Sequence, residues 1–419
     1  MAILKPLKPV LACFFLAWVL MASATPHAAP THVASRANKA SIYGVNLGGW
    51  LVLEPWITPS VFEEAGDRAV DEYTLSQVLG GNAKSRLSRH WNSWITAEDF
   101  KQIAAAGLTN VRIPIGYWAV APLKGEPYIQ GQVDYLDKAL TWAKESNLKV
   151  AIDLHGAPGS QNGFDNSGRR GPISWQKGET VAQTLDAVRA LAERYAQQTD
   201  VVDSIEILNE PFVPGGVQLS QVKNFYRDGY KIVRNANRKV GVAISDAFQD
   251  PLSWTGFMLP SQNFHNVQLD VHHYQVFDNA LVNFNVDQHV KLACSFGREK
   301  LAQTDKRTFV GEWTGAMTDC AKYLNGRGLG ARFDKSHPNG KPSGACGERH
   351  FGSVGRLPAR QKTEIRRFLE AQLDAYENCA GWFFWTWKTE GSPGWDMQDL
   401  LSAGLFPQPF TDRKYGGCK

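Results

Sequence analysis

Two glutamates in this 419-residue chain follow short apolar runs. Ile205-Glu206-Ile207-Leu208 leads into Asn209-Glu210-Pro211, and Phe309-Val310-Gly311 leads into Glu312-Trp313. A carboxyl against an apolar wall is pushed toward its neutral form, whereas one beside a cation is held ionised. Two carboxyls in unlike surroundings can therefore divide the work, one keeping a proton as general acid and the other remaining anionic as nucleophile. Cleavage of a glycosidic bond requires that pair of roles, and a carboxyl separation of about 5 to 5.5 Å directs it with retention of configuration. The adjacent His272 and His273 invite a zinc reading, but alternation along a strand sends them to opposite faces. Only one of them can enter a common site, and no C-x-x-C spacing supplies further metal ligands.

Chemistry of this kind needs strands that deliver their ends to one place. Eight short β-branched or apolar runs recur along the chain: Ile42 to Leu47, Asn110 to Ile115, Lys149 to Leu154, Val202 to Leu208, Val240 to Ser245, Val267 to His272, Thr308 to Glu312 and Gly381 to Trp387. Between them lie helical patterns. Thr96 to Ala106 opens on Thr96 as N-cap with Asp99 at N3, and Val133 to Glu145 places Val133, Leu136, Leu140 and Ala143 on one face. Thr180 to Gln197, Gln218 to Asn237 and Arg360 to Glu377 continue the pattern. The alternation predicts an α/β fold, a TIM (β/α)8 barrel, in which residues at the C-terminal strand ends converge on one pocket. A doubly wound sheet is the rival, but no G-x-G-x-x-G opens a helix. The stretches Gly48 to Arg89, Gly156 to Glu179 and Gly315 to Leu357 exceed plain loops and are expected to decorate the rim at the C-terminal face.

Composition narrows the partners. With 45 Lys+Arg against 41 Asp+Glu the net charge is only +4, and no basic cluster suited to a phosphate backbone occurs, so nucleic acid is not an expected partner. Lys5 and Lys8 precede an apolar run from Val10 to Ala22, and Ala22-Ser23-Ala24 has the small-x-small pattern of a signal-peptidase site. A run of about 13 apolar residues falls short of a membrane span. The expected organisation is a signal peptide over 1–24, a loose lead-in over 25–39 and one catalytic domain over 40–419, in a secreted protein of the extracellular space or cell wall that is monomeric and free of the membrane once cleaved. Secretion makes disulfides available. Five cysteines remain after Cys13 leaves with the leader, so at least one is unpaired or intermolecular. The hypothesis is Cys320 with Cys346 and Cys294 with Cys418, with Cys379, directly before an apolar run, as a small buried thiol.

The run ending in Asn209-Glu210-Pro211 resembles the Asn-Glu-Pro signature of glycoside hydrolase family 5, the cellulase family. The similarity is closest to the secreted fungal exo-1,3-β-glucanases of that family. It rests also on Gly44-Val45-Asn46-Leu47-Gly48-Gly49-Trp50, on the run from Asp153 to Gly163, on His272-His273-Tyr274-Gln275-Val276-Phe277, on Trp385-Thr386-Trp387-Lys388-Thr389-Glu390 and on Gly404-Leu405-Phe406-Pro407-Gln408-Pro409. These motifs span about Ile42 to Cys418 in order.

The resemblance implies Glu210 as acid/base and Glu312 as nucleophile of a two-step retaining mechanism, with Asn209 on the sugar 2-OH. It implies that Arg112 orients Glu312 and favours its ionised form, and that Tyr274 hydrogen-bonds the same carboxylate. His155 and His272 are implied to bind hydroxyls in the first subsite, Glu54 and Trp56 to hold the non-reducing-end sugar, and Trp385 to form the platform beneath it. Phe164 and Phe277 are implied to flank the pocket entrance, and the Gly-Phe-Asp-Asn-Ser-Gly stretch containing Asn166 belongs to the same wall. The implied activity is release of glucose from the non-reducing ends of β-1,3-glucan, without a metal or cofactor and with transglycosylation as a side reaction. The rivals are an endo-acting β-1,4-glucanase or mannanase of the same family, whose groove would be open, a non-catalytic glucan-binding barrel, and a structural protein of wall assembly.

Overall fold

Period-two strands alternate with amphipathic helices, and in the computed structural model, which describes residues 42–341 and 343–419, they close into a barrel. The leader expected over 1–24 and the lead-in over 25–39 lie outside the described residues. The eight strands are β1 (Ile42–Asn46), β2 (Asn110–Gly116), β3 (Lys149–Gly156), β4 (Val202–Glu206), β5 (Gly241–Ser245), β6 (Val267–His272), β7 (Arg307–Glu312) and β8 (Gly381–Phe384). Each pairs in parallel with its sequence neighbour, and β8 returns to β1 with Ile42 opposite Gly381. β4 and β8 end earlier than the apolar runs suggest, at Glu206 and Phe384, and the chain leaves the ladder just before the residues that form the site.

The two faces of each strand serve different ends, because alternate residues point to opposite sides. Outward-facing Val150, Ile152, Leu154, Val242 and Ile244 join the main core beneath the helices. Inward-facing Ile42, Ala151, Ala243, Phe309 and Phe383 form a small apolar plug inside the barrel. Further along the same inward faces the residues turn polar: Ala151 is followed by Asp153 and His155, and Gln268 by Asp270 and His272. Gly311 is required on this face, since a Cβ there would collide with the Asp270 carboxylate.

The helices between β1 and β2 are α1 (Pro59–Ala65), α2 (Glu72–Leu79), α3 (Ala83–Trp94) and α4 (Ala97–Ala105). Three of them lie largely within the stretch Gly48 to Arg89, which is too long for a plain loop. α4 carries the expected box, with Asp99 Oδ2 accepting from the Thr96 backbone N–H at 2.8 Å. After β2 come α5 (Tyr117–Val120) and α6 (Gln132–Glu145), which buries Leu136, Ala139, Leu140 and Ala143 while Val133 stays half-buried. α7 (Thr180–Tyr195) and α8 (Leu219–Ala236) follow β3 and β4. Only short 3-10 turns, Pro251–Trp254 and Pro260–Gln262, connect β5 to β6.

α9 (Val286–Glu299), α10 (Ala359–Tyr376) and α11 (Met397–Ser402) complete the ring. The periodicity reading omits α9, whose buried face is His289, Ala293, Cys294 and Gly297. Its sequence signal is the capping box of Asn285 with Gln288.

Two disulfides staple the outside. Cys294 on α9 joins Cys418 near the C-terminus, and Cys320 joins Cys346 across the loop after β7. Cys379 is a free thiol, half-buried rather than fully buried as expected, and the partial burial still pushes it up to about 12. Among the described residues no helix is long and apolar enough to cross a membrane.

Candidate active site

Arg112, on the inward face of β2, is fully buried at the centre of the polar end of the barrel. Its Nε donates to Glu206 Oε2 at 2.9 Å, Nη1 to Asn46 Oδ1 at 3.1 Å and to Glu312 Oε1 at 3.0 Å, and Nη2 to Asn209 Oδ1 at 2.9 Å. Asp153 at 3.2 Å and Asp270 at 3.4 Å complete a ring of four carboxylates around one guanidinium. The charges do not balance. Burial, opposed by Arg112 but reinforced by Asp270 and Asp153, pushes Glu206 well above the usual carboxylate range. Burial also acts on Asp270, but His272 and Arg112 outweigh it and hold Asp270 low.

The two strand-end glutamates meet above this ring. Glu312, at the end of β7, accepts from Arg112 at one oxygen and from the Tyr274 hydroxyl, 2.9 Å away, at the other. Glu210 lies beyond β4 with φ 46°, in the left-handed region that costs a non-glycine residue on the order of 1 kcal/mol or more. Its Oε2 accepts from Asn166 Nδ2 at 3.1 Å, and its Oε1 lies 2.7 Å from His272 Nδ1. The same nitrogen stands 3.5 Å from Glu312 Oε2. An oxygen of each glutamate and a nitrogen of His272 all lie within 4.8 Å of one another. His272 Nδ1, however, is already engaged with Glu210.

The protonation pattern differs from the simple expectation of a neutral Glu210 and an ionised Glu312. Burial, with the Glu210 charge adding, raises Glu312, and His272 and Arg112 only partly offset it. Burial would raise Glu210 too, but the His272 hydrogen bond and charge outweigh it and hold this carboxyl below the usual range. Burial opposes charging His272, yet Glu312, Asp270 and Glu210 together lift it well above the ordinary imidazole value. The proton expected on Glu210 therefore rests on the imidazole beside it. His273 points the other way, as alternation requires. It stacks on Phe296 at 4.0 Å between ring centroids, and burial drops it to about 3.

The remaining expected residues stand on the loops at the same end of the barrel. His155 Nδ1 is 2.6 Å from Asp153 Oδ2, and its ring stacks on Trp385 at 5.5 Å and 12°. Trp56 Nε1 donates to Glu54 Oε2 at 2.9 Å, and the Trp56 ring meets Trp395 edge-on at 5.0 Å. Burial, reinforced by Asp165, raises Glu54 well above the carboxylate range. Three buried atoms among these residues have no hydrogen-bond partner in the protein, Glu54 Oε1, His155 Nε2 and Asn209 Nδ2, while His272 Nε2 lies 3.5 Å from Asp270 Oδ2. Phe164 and Phe277 are 39% and 43% exposed, on the loops after β3 and β6. Phe164 abuts Phe212 at 5.2 Å, and Phe277 abuts Tyr274 at 5.4 Å.

Several members of the site escape sequence reasoning. Asp153, Glu206 and Asp270 stand inside apparently apolar strands, and each reaches Arg112 only because the barrel closes. The available signal is position: Asp153 and Asp270 lie two residues before His155 and His272, on the same strand faces. Asn46 donates its Nδ2 to the Gly311 carbonyl at 2.8 Å and so joins β1 to β7 directly under the glutamates.

Comparison with known proteins shows what this chain is similar to. The model of the family described as Cellulase (glycosyl hydrolase family 5) matches residues 76–327. The probable glucan 1,3-beta-glucosidase A of Aspergillus fumigatus is 54% identical over 400 residues, 94% of each chain. Its namesake from Aspergillus niger is 57% identical over 375 residues, 89% of each. Among solved structures, the rutinosidase from Aspergillus niger superposes with a TM-score of 0.70 over 89% of this chain and 99% of its own. At 23% identity that likeness speaks to the fold alone.

Proposed function

The chain belongs to glycosyl hydrolase family 5, the cellulase family, and on that premise we propose that it is a retaining, exo-acting glucan 1,3-β-glucosidase that releases glucose from the non-reducing ends of β-1,3-glucan. The observation that carries the mechanism is the unlike company of the two glutamates. Glu312 is held by Arg112 and Tyr274, groups that donate hydrogen bonds and whose own ionisations are pushed upward by their surroundings, so neither takes a proton from it. Glu210 faces His272, which can hold a proton or return it across 2.7 Å.

In this reading Glu312 attacks the anomeric carbon while Glu210, receiving the His272 proton, protonates the departing glycosidic oxygen. Glu210 then takes a proton from water as the glycosyl-enzyme ester is opened. The close approach of the two carboxyls suits this double displacement, since inverting enzymes keep theirs about 6.5 to 9.5 Å apart. The unpartnered atoms of Glu54, His155 and Asn209, together with His272, supply the polar contacts for the terminal sugar, with Asn209 on the 2-OH. Trp385 offers its ring as platform, and Trp56 orients Glu54. Phe164 and Phe277 grip the next unit, and Asn166 orients Glu210 from the same wall.

The wider organisation follows the same reading: a secreted monomer with a cleaved leader over 1–24, a lead-in over 25–39 and one catalytic domain over 40–419, working outside the cell or in the wall without a cofactor. Two disulfides suit an oxidising compartment. The test is product analysis with laminarin, carboxymethylcellulose and mannan, together with NMR of the first anomer formed. Glucose alone from laminarin, appearing first as the β-anomer, is the expected result. A ladder of oligosaccharides, preference for cellulose or mannan, or initial α-glucose would overturn the exo, linkage or retaining assignment respectively.

A further inference from the structure

The rim segment that carries Glu54 and Trp56 runs directly into α1. The Glu54 carbonyl accepts from the backbone N–H groups of Ile57 and Thr58, both at 3.1 Å. At seven residues α1 is too short to be stable alone, so its position depends on what fastens it. The loop after β8 fixes its start: Ser60 N donates to Glu390 Oε2 at 2.7 Å, Glu390 N to the Ile57 carbonyl at 2.9 Å, and Ser392 Oγ to the Trp56 carbonyl at 3.2 Å.

Its far end is fixed by Arg327, reaching across from the loop bounded by Cys320 and Cys346. The Arg327 Nη1 donates to the carbonyls of Phe62, Gly66 and Ala69 at 2.8, 2.6 and 2.8 Å, and Nη2 faces Asp67 at 3.4 Å. The side chain is only 8% exposed. A guanidinium among carbonyls at the end of a helix is favourably placed both as donor and as charge. Lys322 and Tyr323 also hold α1 through Glu63, at 2.6 and 2.8 Å, but Glu63 is exposed, and such pairs contribute little.

The same residue gathers a third loop. The Arg327 carbonyl accepts from Arg170 Nη1 at 2.7 Å, and the Arg170 backbone N–H donates to Asp71 Oδ2 at 2.7 Å, at the start of α2. Arg170 follows the stretch that holds Phe164 and Asn166, and its charge acts on the buried Asp165, which in turn acts on Glu54. The segments after β1, β3 and β7 are thus joined at one buried guanidinium.

We propose that Arg327 is a specificity-positioning residue: by pinning α1 to the loops after β3 and β7, it closes the groove beyond Glu54, so that a glucan enters the site only by its terminal non-reducing unit. The inference rests on the exo reading above and names the residue responsible for it. Arg327 touches neither glutamate, so its loss should change where the chain is cut rather than how.

Laminarin whose ends have been oxidised by periodate provides the test. In a 1,3-linked chain only the terminal units carry vicinal diols, so oxidation destroys the exo substrate and leaves internal linkages intact. The wild-type protein should release nothing from it. Arg327→Met should cleave it to oligosaccharides, raise the oligosaccharide-to-glucose ratio from native laminarin by ~10-fold or more, equivalent to ~1.4 kcal/mol between two modes of binding, and keep its turnover of an aryl β-glucoside. Arg327→Lys, whose ammonium offers three donors to the three carbonyls, should restore glucose as the sole product. Arg327→Gln, a smaller change, carries the test if the methionine variant does not fold. Glucose-only products from a folded Met or Gln variant that remains inert toward oxidised laminarin would overturn the role of Arg327. Oligosaccharide release from oxidised laminarin by the wild-type protein would instead overturn the exo reading itself.

Discussion

Nδ1 of His272 lies 2.7 Å from Oε1 of Glu210, and the imidazole is the partner able to exchange a proton with that carboxyl. At 3.5 Å the same nitrogen also faces Glu312. One imidazole thus stands between two buried carboxyls; burial opposes its charge, but Glu312, Asp270 and Glu210 together lift it well above its ordinary value, while Glu210 is held down and Glu312 is raised.

The consequence is a pH profile set by the cluster rather than by either glutamate alone. Activity requires an ionised Glu312, so the acid limb of kcat/KM should lie above the ordinary glutamate value. It also requires the proton shared by Glu210 and His272, so the alkaline limb should lie above the ordinary imidazole value. His272→Gln removes the cation. The acid limb should then move up, because Glu312 loses a favourable charge, and the alkaline limb should move down, because Glu210 must hold the proton alone. An alkaline limb unchanged in this variant would contradict the shared-proton arrangement.

Removal of either glutamate should separate the two chemical roles. Glu312→Gln is expected to lower kcat by at least ~10³-fold while leaving the thermal transition in place. Glu210→Ala should slow laminarin, a substrate with a poor leaving group, far more than an activated aryl glucoside. Equal losses on both substrates would remove Glu210 from the acid role.

Arg112 pairs with the buried Asp153, Glu206, Asp270 and Glu312, four acids against one cation. Arg112→Met keeps much of the volume and removes the charge, which for a buried ion pair stripped of one partner costs about 3 to 5 kcal/mol. Urea denaturation at neutral pH measures that loss, and the deficit should shrink as the pH falls and the carboxylates neutralise. A variant as stable as the wild type would show that the ring of carboxylates holds its own protons.

A second buried carboxyl predicts a pH dependence of stability. Glu72 accepts from the Leu53 backbone N–H at 2.9 Å and from Trp118 Nε1 at 3.0 Å, and burial raises it to about 8. Its folded value exceeds the ordinary 4.5, so the folded state binds a proton that the unfolded chain has released. This contribution is fully present below the ordinary value and is lost as the pH rises toward about 8, with a slope of up to ~1.4 kcal/mol per pH unit. In Glu72→Gln that part of the slope should vanish from the unfolding free energy measured across the same range. A slope equal to that of the wild type would assign the dependence to other groups.

Phe164 and Phe277 present exposed rings on the loops after β3 and β6. Alanine at either position should raise KM for laminarin several-fold and leave the aryl glucoside nearly untouched, because only a longer chain reaches past the cleavage point. A matched loss on both substrates would mean that the rings support the fold, Phe277 through Tyr274 and Phe164 through Phe212.

The barrel is legible in the chain because its signals are local. Apolar runs of strand length, the helical faces of α6 and α8, and the Thr96–Asp99 cap all lie within a few residues of sequence, where sterics and periodicity act directly. The two glutamates are visible for the same reason, as polar residues closing apolar runs. α9 is hidden because its buried face is made of His289, Ala293, Cys294 and Gly297, small or polar residues that blur the periodicity. What the chain alone does not disclose is how far-separated charges meet. Arg112 binds Glu206 across 94 positions and Glu312 across 200, and Arg327 reaches Phe62 across 265. Those meetings exist only once β1 and β8 pair and the ring closes. Within that closed ring the dielectric is low and the charges are few ångströms apart, so proton placement becomes a property of the cluster and not of any residue in it.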